Sequence, residues 1–118
     1  MKSILQEILE RVPEALGASV VGLDGIAVEK LAAQSSFSVD LASAEWAGLA
    51  KRAAASLRSQ GAVGGPEEIS VSSASGLVIV RALGGDYFLC LVVGPACIPG
   101  RARFEAWRAG LQLQQALS

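Results

Sequence analysis

GASVVGLDGIAVEK, Gly17 to Lys30, reads as two short strands joined by a tight turn. Ala18, Val20 and Val21 precede the turn, and Ile26 and Val28 follow it in alternation. Between them Asp24-Gly25 is a pair that tolerates the positive φ angles hairpin turns need. The hairpin is expected over about Ala18–Ala32, closed on its N-terminal side by Gly17. Working outward, an amphipathic segment stands before it and a longer one after it, so the chain begins helix, hairpin, helix.

The leading helix is expected to start at Ser3, with Gln6 three residues on in a capping-box spacing. Met1, Ile4, Leu5, Ile8, Leu9 and Val12 share one face, and Lys2, Gln6, Glu7, Glu10 and Arg11 fall on the others. Acids within this stripe and the lack of a cleavage site argue against a signal peptide. Past the hairpin, Asp40 offers an N-cap for a helix over Leu41–Gln60 that ends near Gly61. At about 100° per residue, Ala42, Trp46, Leu49, Ala50, Ala53 and Leu57 form a bulky stripe suited to packing on a sheet. Ala44, Ala47, Gly48, Ala54 and Ala55 form a small-residue face flanked by Lys51 and Arg58. A mid-helix glycine costs about 1 kcal/mol against alanine, so Gly48 favours close approach by a partner over a merely exposed alanine face.

Three strands follow the linker Ala62–Pro66. Glu67–Ser72 alternates, with Ile69 and Val71 on one side and Glu68, Ser70 and Ser72 on the other, as at a half-exposed sheet edge. Proline at Ile69 or Val71 is therefore expected to break pairing along that edge. Gly76–Leu83 and Tyr87–Val93 are nearly continuous apolar runs and read as central strands, turned by Gly84-Gly85-Asp86. A closing helix is expected over Arg101–Leu117, with Phe104, Trp107 and Leu111 on one face and Ala102, Ala106, Leu113 and Leu117 on the other. The order is α-β-β-α-β-β-β-α, an α/β (α+β) chain forming one domain over its 118 residues.

Composition removes several function classes. The chain is 52% hydrophobic with mean hydropathy +0.46, yet 13 glycines interrupt it. No apolar run approaches the roughly 20 residues needed to span a bilayer, so no membrane insertion and a cytoplasmic location are expected. A net charge of −1 and pI near 5.4 argue against a nucleic-acid footprint. There is no histidine, which removes the commonest general base and metal ligand. Cys90 reads as a small buried hydrophobe and Cys97 as a loop thiol; together they form neither a disulfide framework nor a metal spacing.

Glycine spacing at Gly17, Gly22 and Gly25 falls on a hairpin after a helix, the wrong context for a phosphate loop, and GAVGG at Gly61–Gly65 precedes a strand. No serine sits in a nucleophile elbow. Glu67-Glu68, the adjacent carboxylates, point to opposite faces of a strand. No catalytic residue, metal or cofactor is expected, and the chain is not read as an enzyme. Lys51, Arg52 and Arg58, with Arg101, Arg103 and Arg108, are either docking charges or solvated helix faces.

The whole chain resembles the roadblock/dynein-light-chain domain family. The resemblance is carried by LGASVVGLDGIAVEKLA (Leu16–Ala32), the alanine-rich helix from Asp40, and GLVIVRALGGDYFLCLVVGP (Gly76–Pro95) before a final helix. It implies a five-stranded antiparallel sheet, with the long helix on one face and the terminal helices on the other, as in profilin-like sandwiches. It also implies a homodimer in which the strand after the second helix pairs with its symmetry mate and the two second helices lie side by side. Prokaryotic members that stand alone look like regulators of Ras-like small GTPases, similar to the mutual gliding-motility regulator B type. They would bind the switch regions of the GTP-bound GTPase and order its own catalytic groups without binding nucleotide. Should an arginine be supplied in trans, Arg52 and Arg58 are the candidates. The expected interface is Ala44, Ala47, Gly48, Lys51, Ala54, Ala55, Arg58, Ile69 and Val71. A scaffold or adaptor subunit is the alternative, and a small-molecule sensor of similar layout stands third.

Overall fold

The computed structural model describes residues 1–118. The elements run α1 (Lys2–Arg11), β1 (Ala15–Gly22), β2 (Ala27–Ala32), α2 (Val39–Ser59), β3 (Glu68–Ser73), β4 (Gly76–Ala82), β5 (Tyr87–Val93) and α3 (Pro99–Leu117). One antiparallel sheet has the strand order β2-β1-β5-β4-β3. The element order and the sheet agree with the sequence reading. β1, β5 and β4 are internal, as their long apolar runs require, while β2 and β3 are the edges.

The hairpin forms by a different turn from the expected one. Asp24 keeps a negative φ, and Gly25 alone turns positive, at 83°. Gly25 N–H donates to the Gly22 carbonyl at 2.9 Å, and Gly22 N–H donates to that of Ile26 at 3.1 Å. The Asp24 carboxylate accepts from Ile26 N–H at 3.0 Å. A longer loop with one left-handed glycine thus replaces a two-residue turn, and the register slips between Val20 and Val21. Gly17 lies inside β1 rather than closing the segment before it. A Cβ there would meet Val39 Cγ2 at 3.0 Å and the Phe37 ring at 3.1 Å, so its hydrogen lets the start of α2 sit on the strand.

Several helix ends differ from expectation. α1 begins at Lys2 with no side-chain cap, and the Ser3–Gln6 box does not form. α2 is capped by Ser38, whose hydroxyl accepts from Leu41 N–H at 3.2 Å. Asp40 is already helical and pairs with Lys30 on β2. α3 begins at Pro99, since a proline loses nothing where the first N–H has no partner.

α1 and α3 cover one face of the sheet. Leu5 and Ile8 of α1, Val12 just after it, and Ala102, Ala106, Ala109 and Leu113 of α3 pack on Val20, Ile79, Leu89, Leu91 and Val93. Cys97 lies in the loop between β5 and α3, as expected, and its side chain turns into this core. Fully burying one such Leu or Ile contributes roughly 1.5–3 kcal/mol, so this layer carries most of the stability. On α3 the small face goes inward, while Phe104, Trp107 and Leu111 face solvent. Alanines let α3 lie close against both the sheet and α1. The seam between the two helices is tied by Arg108, which meets Glu105 at 2.7 Å and Glu7 at 3.3 Å.

α2 lies on the opposite face over β2, β1 and β5. Its buried, sheet-facing stripe is Val39, Ser43, Ala47 and Ala50; of the bulky stripe read from the sequence only Ala50 belongs to it. Ser43 Oγ donates to the Val39 carbonyl at 2.7 Å and shares a 2.8 Å hydrogen bond with Ser19 Oγ of β1, both hydroxyls buried. Small residues and a satisfied serine pair bring the helix close to the strands. Trp46 sits on the flank, against Val21, Ala47 and Cys90, with Val78 and Val92 beside it.

Candidate interaction surface

β3 is one of the two edges of the sheet and pairs only with β4. Ala82 N–H donates to the Glu67 carbonyl at 2.9 Å, making that pair a hydrogen-bonded one. Alternation along the register Ile69↔Val80 and Val71↔Val78 then turns the backbone groups of Ile69 and Val71 inward to β4. Those of Glu68, Ser70 and Ser72 point outward and are unpaired. Proline at Ile69 or Val71 would therefore cut the β3–β4 ladder; the positions that test the outer edge are Ser70 and Ser72.

Beside that edge an apolar surface continues across the sheet. Ile69 and Val71 share their face with Val80 and Val78, the face on which α2 lies. Val71 is 37% exposed, and Ile69, Val78 and Val92 are half-buried. With Trp46 and Phe37, residues Val71, Val78 and Val92 line an open trough of about 330 Å³ between the flank of α2 and the β3 edge. Trp46 and Phe37 were not among the expected interface residues. Trp46 was legible in the stripe Ala42–Trp46–Leu49–Ala53, which faces this trough's side of the helix rather than the sheet.

The expected small-residue face of α2 divides into three. Ala47 is 3% exposed and packs on the sheet, so it is unavailable to a partner in this protomer. Ala44, Gly48 and Ala55 look outward. A Cβ on Gly48 would meet only the Arg52 guanidinium, at 3.7 Å, so nothing within the protomer requires glycine there. Lys51, Ala54 and Arg58 come together along the other flank of the helix, lining a cavity at the turn end of the sheet. Of the arginines on α3, Arg103 pairs with Glu68 of β3 and Arg108 with Glu7 and Glu105, whereas Arg101 has no ion pair.

No group of three or more His, Cys, Asp or Glu side chains could hold a metal ion. Burial pushes the Cys90 thiol up to about 12, so it stays protonated at neutral pH. Burial also raises the Cys97 thiol, aided by the Glu14 carboxylate. No helix is long and apolar enough to cross a membrane.

No protein-family model and no curated protein matches the chain. Solved structures do. A roadblock/LC7 domain from Streptomyces avermitilis superposes with a TM-score of 0.87 at 19% identity, over 99% of this chain and 97% of that one. Myxococcus xanthus MglB gives 0.88 at 11% identity, over 98% and 86%. An MglB with a tetrameric arrangement gives 0.85 at 19% identity, over 96% and 84%. The chain has the roadblock-type fold, similar to that of MglB.

Proposed function

We propose, from the roadblock-type fold as premise, that this chain is a homodimeric regulator of a Ras-like small GTPase that modulates GTP hydrolysis, neither catalysing a reaction itself nor binding nucleotide. The observation that carries the reading is the free β3 edge running into the apolar trough along α2. Two copies joined antiparallel at β3 would satisfy the outward groups of Glu68, Ser70 and Ser72, and would cover Val71 and Val78 together. An exposed edge beside an apolar strip is an aggregation liability that such isologous pairing removes. The tetrameric arrangement of an MglB supports self-association of this fold.

Pairing at β3 would leave the outer surface of α2 open to a further partner. Ala44, Gly48 and Ala55 there present little side chain, with Arg52 beside them and Lys51 and Arg58 on the flank. A smooth helix face with cationic margins suits the docking of a GTPase switch segment, whose own catalytic groups would be held in position. The test is single-turnover GTP hydrolysis by the cognate GTPase with and without this protein. A rate increase that Gly48→Arg abolishes, with dimer and fold intact, is the expected result. Binding at saturation with an unchanged rate would refute the regulator reading and leave a scaffold.

A further inference from the structure

Lys2, Arg11, Lys30, Arg81, Arg103 and Arg108 each lie within 4.0 Å of a carboxylate. Lys51, Arg52 and Arg58 do not, although they share one stretch of α2. Lys51 and Arg58 stand over the same cavity of about 480 Å³, between the C-terminal half of α2 and the β4–β5 turn. Seven residues of helix separate them by about 10.5 Å along the axis. Beneath them the wall is apolar, formed by Ala54 and the Phe88 ring among others. Gly84 and Gly85 form part of the rim with no side chain to obstruct it. One carboxylate, Glu67, also lines the space, so the cations outnumber it and the lining carries net positive charge.

We propose that this cavity binds a small organic anion with an aromatic or otherwise apolar body. Its volume falls within the range of small-molecule sites, which pair an apolar wall with a few placed polar groups. The body would lie against Phe88 and Ala54, and its acidic group would meet Lys51 or Arg58. Neither cation has to give up an internal ion pair to do so. The cavity lies on the flank of α2 away from the trough, so dimer formation at β3 would leave it open. An acidic side chain of a protein partner is the competing occupant.

The probe is 8-anilinonaphthalene-1-sulfonate, an aromatic anion, titrated into the folded protein by fluorescence and by amide chemical-shift mapping. One saturable site is expected, with shifts centred on Gly84, Gly85 and Phe88. Lys51→Gln and Arg58→Gln should each weaken binding about fivefold, and Arg101→Gln should leave it unchanged. Ala54→Phe should fill the space and abolish binding, with the fold checked by circular dichroism. No saturable signal up to millimolar probe would overturn the proposal. So would shifts centred on Phe104, Trp107 and Leu111, or equal affinity for uncharged N-phenylnaphthylamine. A site that takes only an acidic peptide, and not the free anion, would assign the cavity to a protein partner and equally overturn it. The assay contains no GTPase, so its outcome is independent of the function proposed above.

Discussion

Ser72→Pro should separate the dimer from the protomer. The Ser72 N–H points away from β4, as the alternation of the β3–β4 ladder requires, and Ser72 is exposed. Proline at such an edge position removes a donor that the protomer does not use. The residue before it, Val71, is already extended, the conformation a following proline favours. Within the protomer the substitution should therefore cost little. In a symmetric dimer it deletes one hydrogen bond from each copy. At about 1 kcal/mol net apiece, the loss is about 2 kcal/mol, or roughly a thirtyfold rise in dimer Kd, and the ring's bulk against the partner strand adds to it. Sedimentation over a range of concentrations reads the Kd, and urea unfolding of the diluted monomer reads the protomer. Val71→Pro is the contrast: its N–H serves β4, so it should destabilise the protomer as well. A folded Ser72→Pro whose dimer Kd stays within about threefold of the parent would refute pairing through β3.

The glycines offer an opposed pair. Gly76→Ala should destabilise the protomer by about 3 kcal/mol, because φ is +141° there and a Cβ would stand 2.1 Å from the Val93 carbonyl oxygen. Gly48→Ala should stabilise it by up to about 1 kcal/mol; urea midpoints that both fall would contradict the placement of Gly48, and midpoints that both rise that of Gly76. Ser43→Ala should cost about 1–3 kcal/mol by leaving the buried Ser19 hydroxyl without that partner, and adding Ser19→Ala should recover part of it, a non-additivity read from a double-mutant cycle. Cys90 gives a pH signature. Its thiol titrates near 9.0 when unfolded and near 12 when folded, so as pH rises the unfolded chain loses the proton first. The contribution is fully present below pH 9 and lost between 9 and 12, at no more than about 1.4 kcal/mol per pH unit. Thermal melts of Cys90→Ala should lack that alkaline slope; an unchanged slope would refute the assignment.

How much was legible follows from where the deciding physics sits. The strands were readable because their signal is local: the apolar runs at Gly76–Ala82 and Tyr87–Val93 are each followed closely by glycine-containing turn or loop segments. Helix existence was equally local. Orientation was not. Size suggested that Trp46 and Leu49 would face the sheet, and two apolar faces on the last helix left open which of them would turn inward. The fold instead turns serine and alanine inward on α2 and alanine inward on α3. Two helices side by side on one sheet face, or one helix drawn close by a Ser19–Ser43 bond, need small residues at the contact. That requirement comes from tertiary spacing, which a hydropathy period does not contain.

The same cause explains what became of the expected interface. Ile69 and Val71 could be placed at an edge because alternation shows which strand is half-wet, but the direction of their N–H groups depends on register with β4, set by the turn at Gly76. The small-residue stripe of α2 contained two kinds of position that sequence cannot tell apart. Ala47 is small because the sheet is close, whereas Gly48 is small with open space in front of it. In the protomer only the first has a reason. Ala47 is closed off by the sheet, so within the proposed docking face of α2 the positions left open to test are Gly48, Ala44 and Ala55.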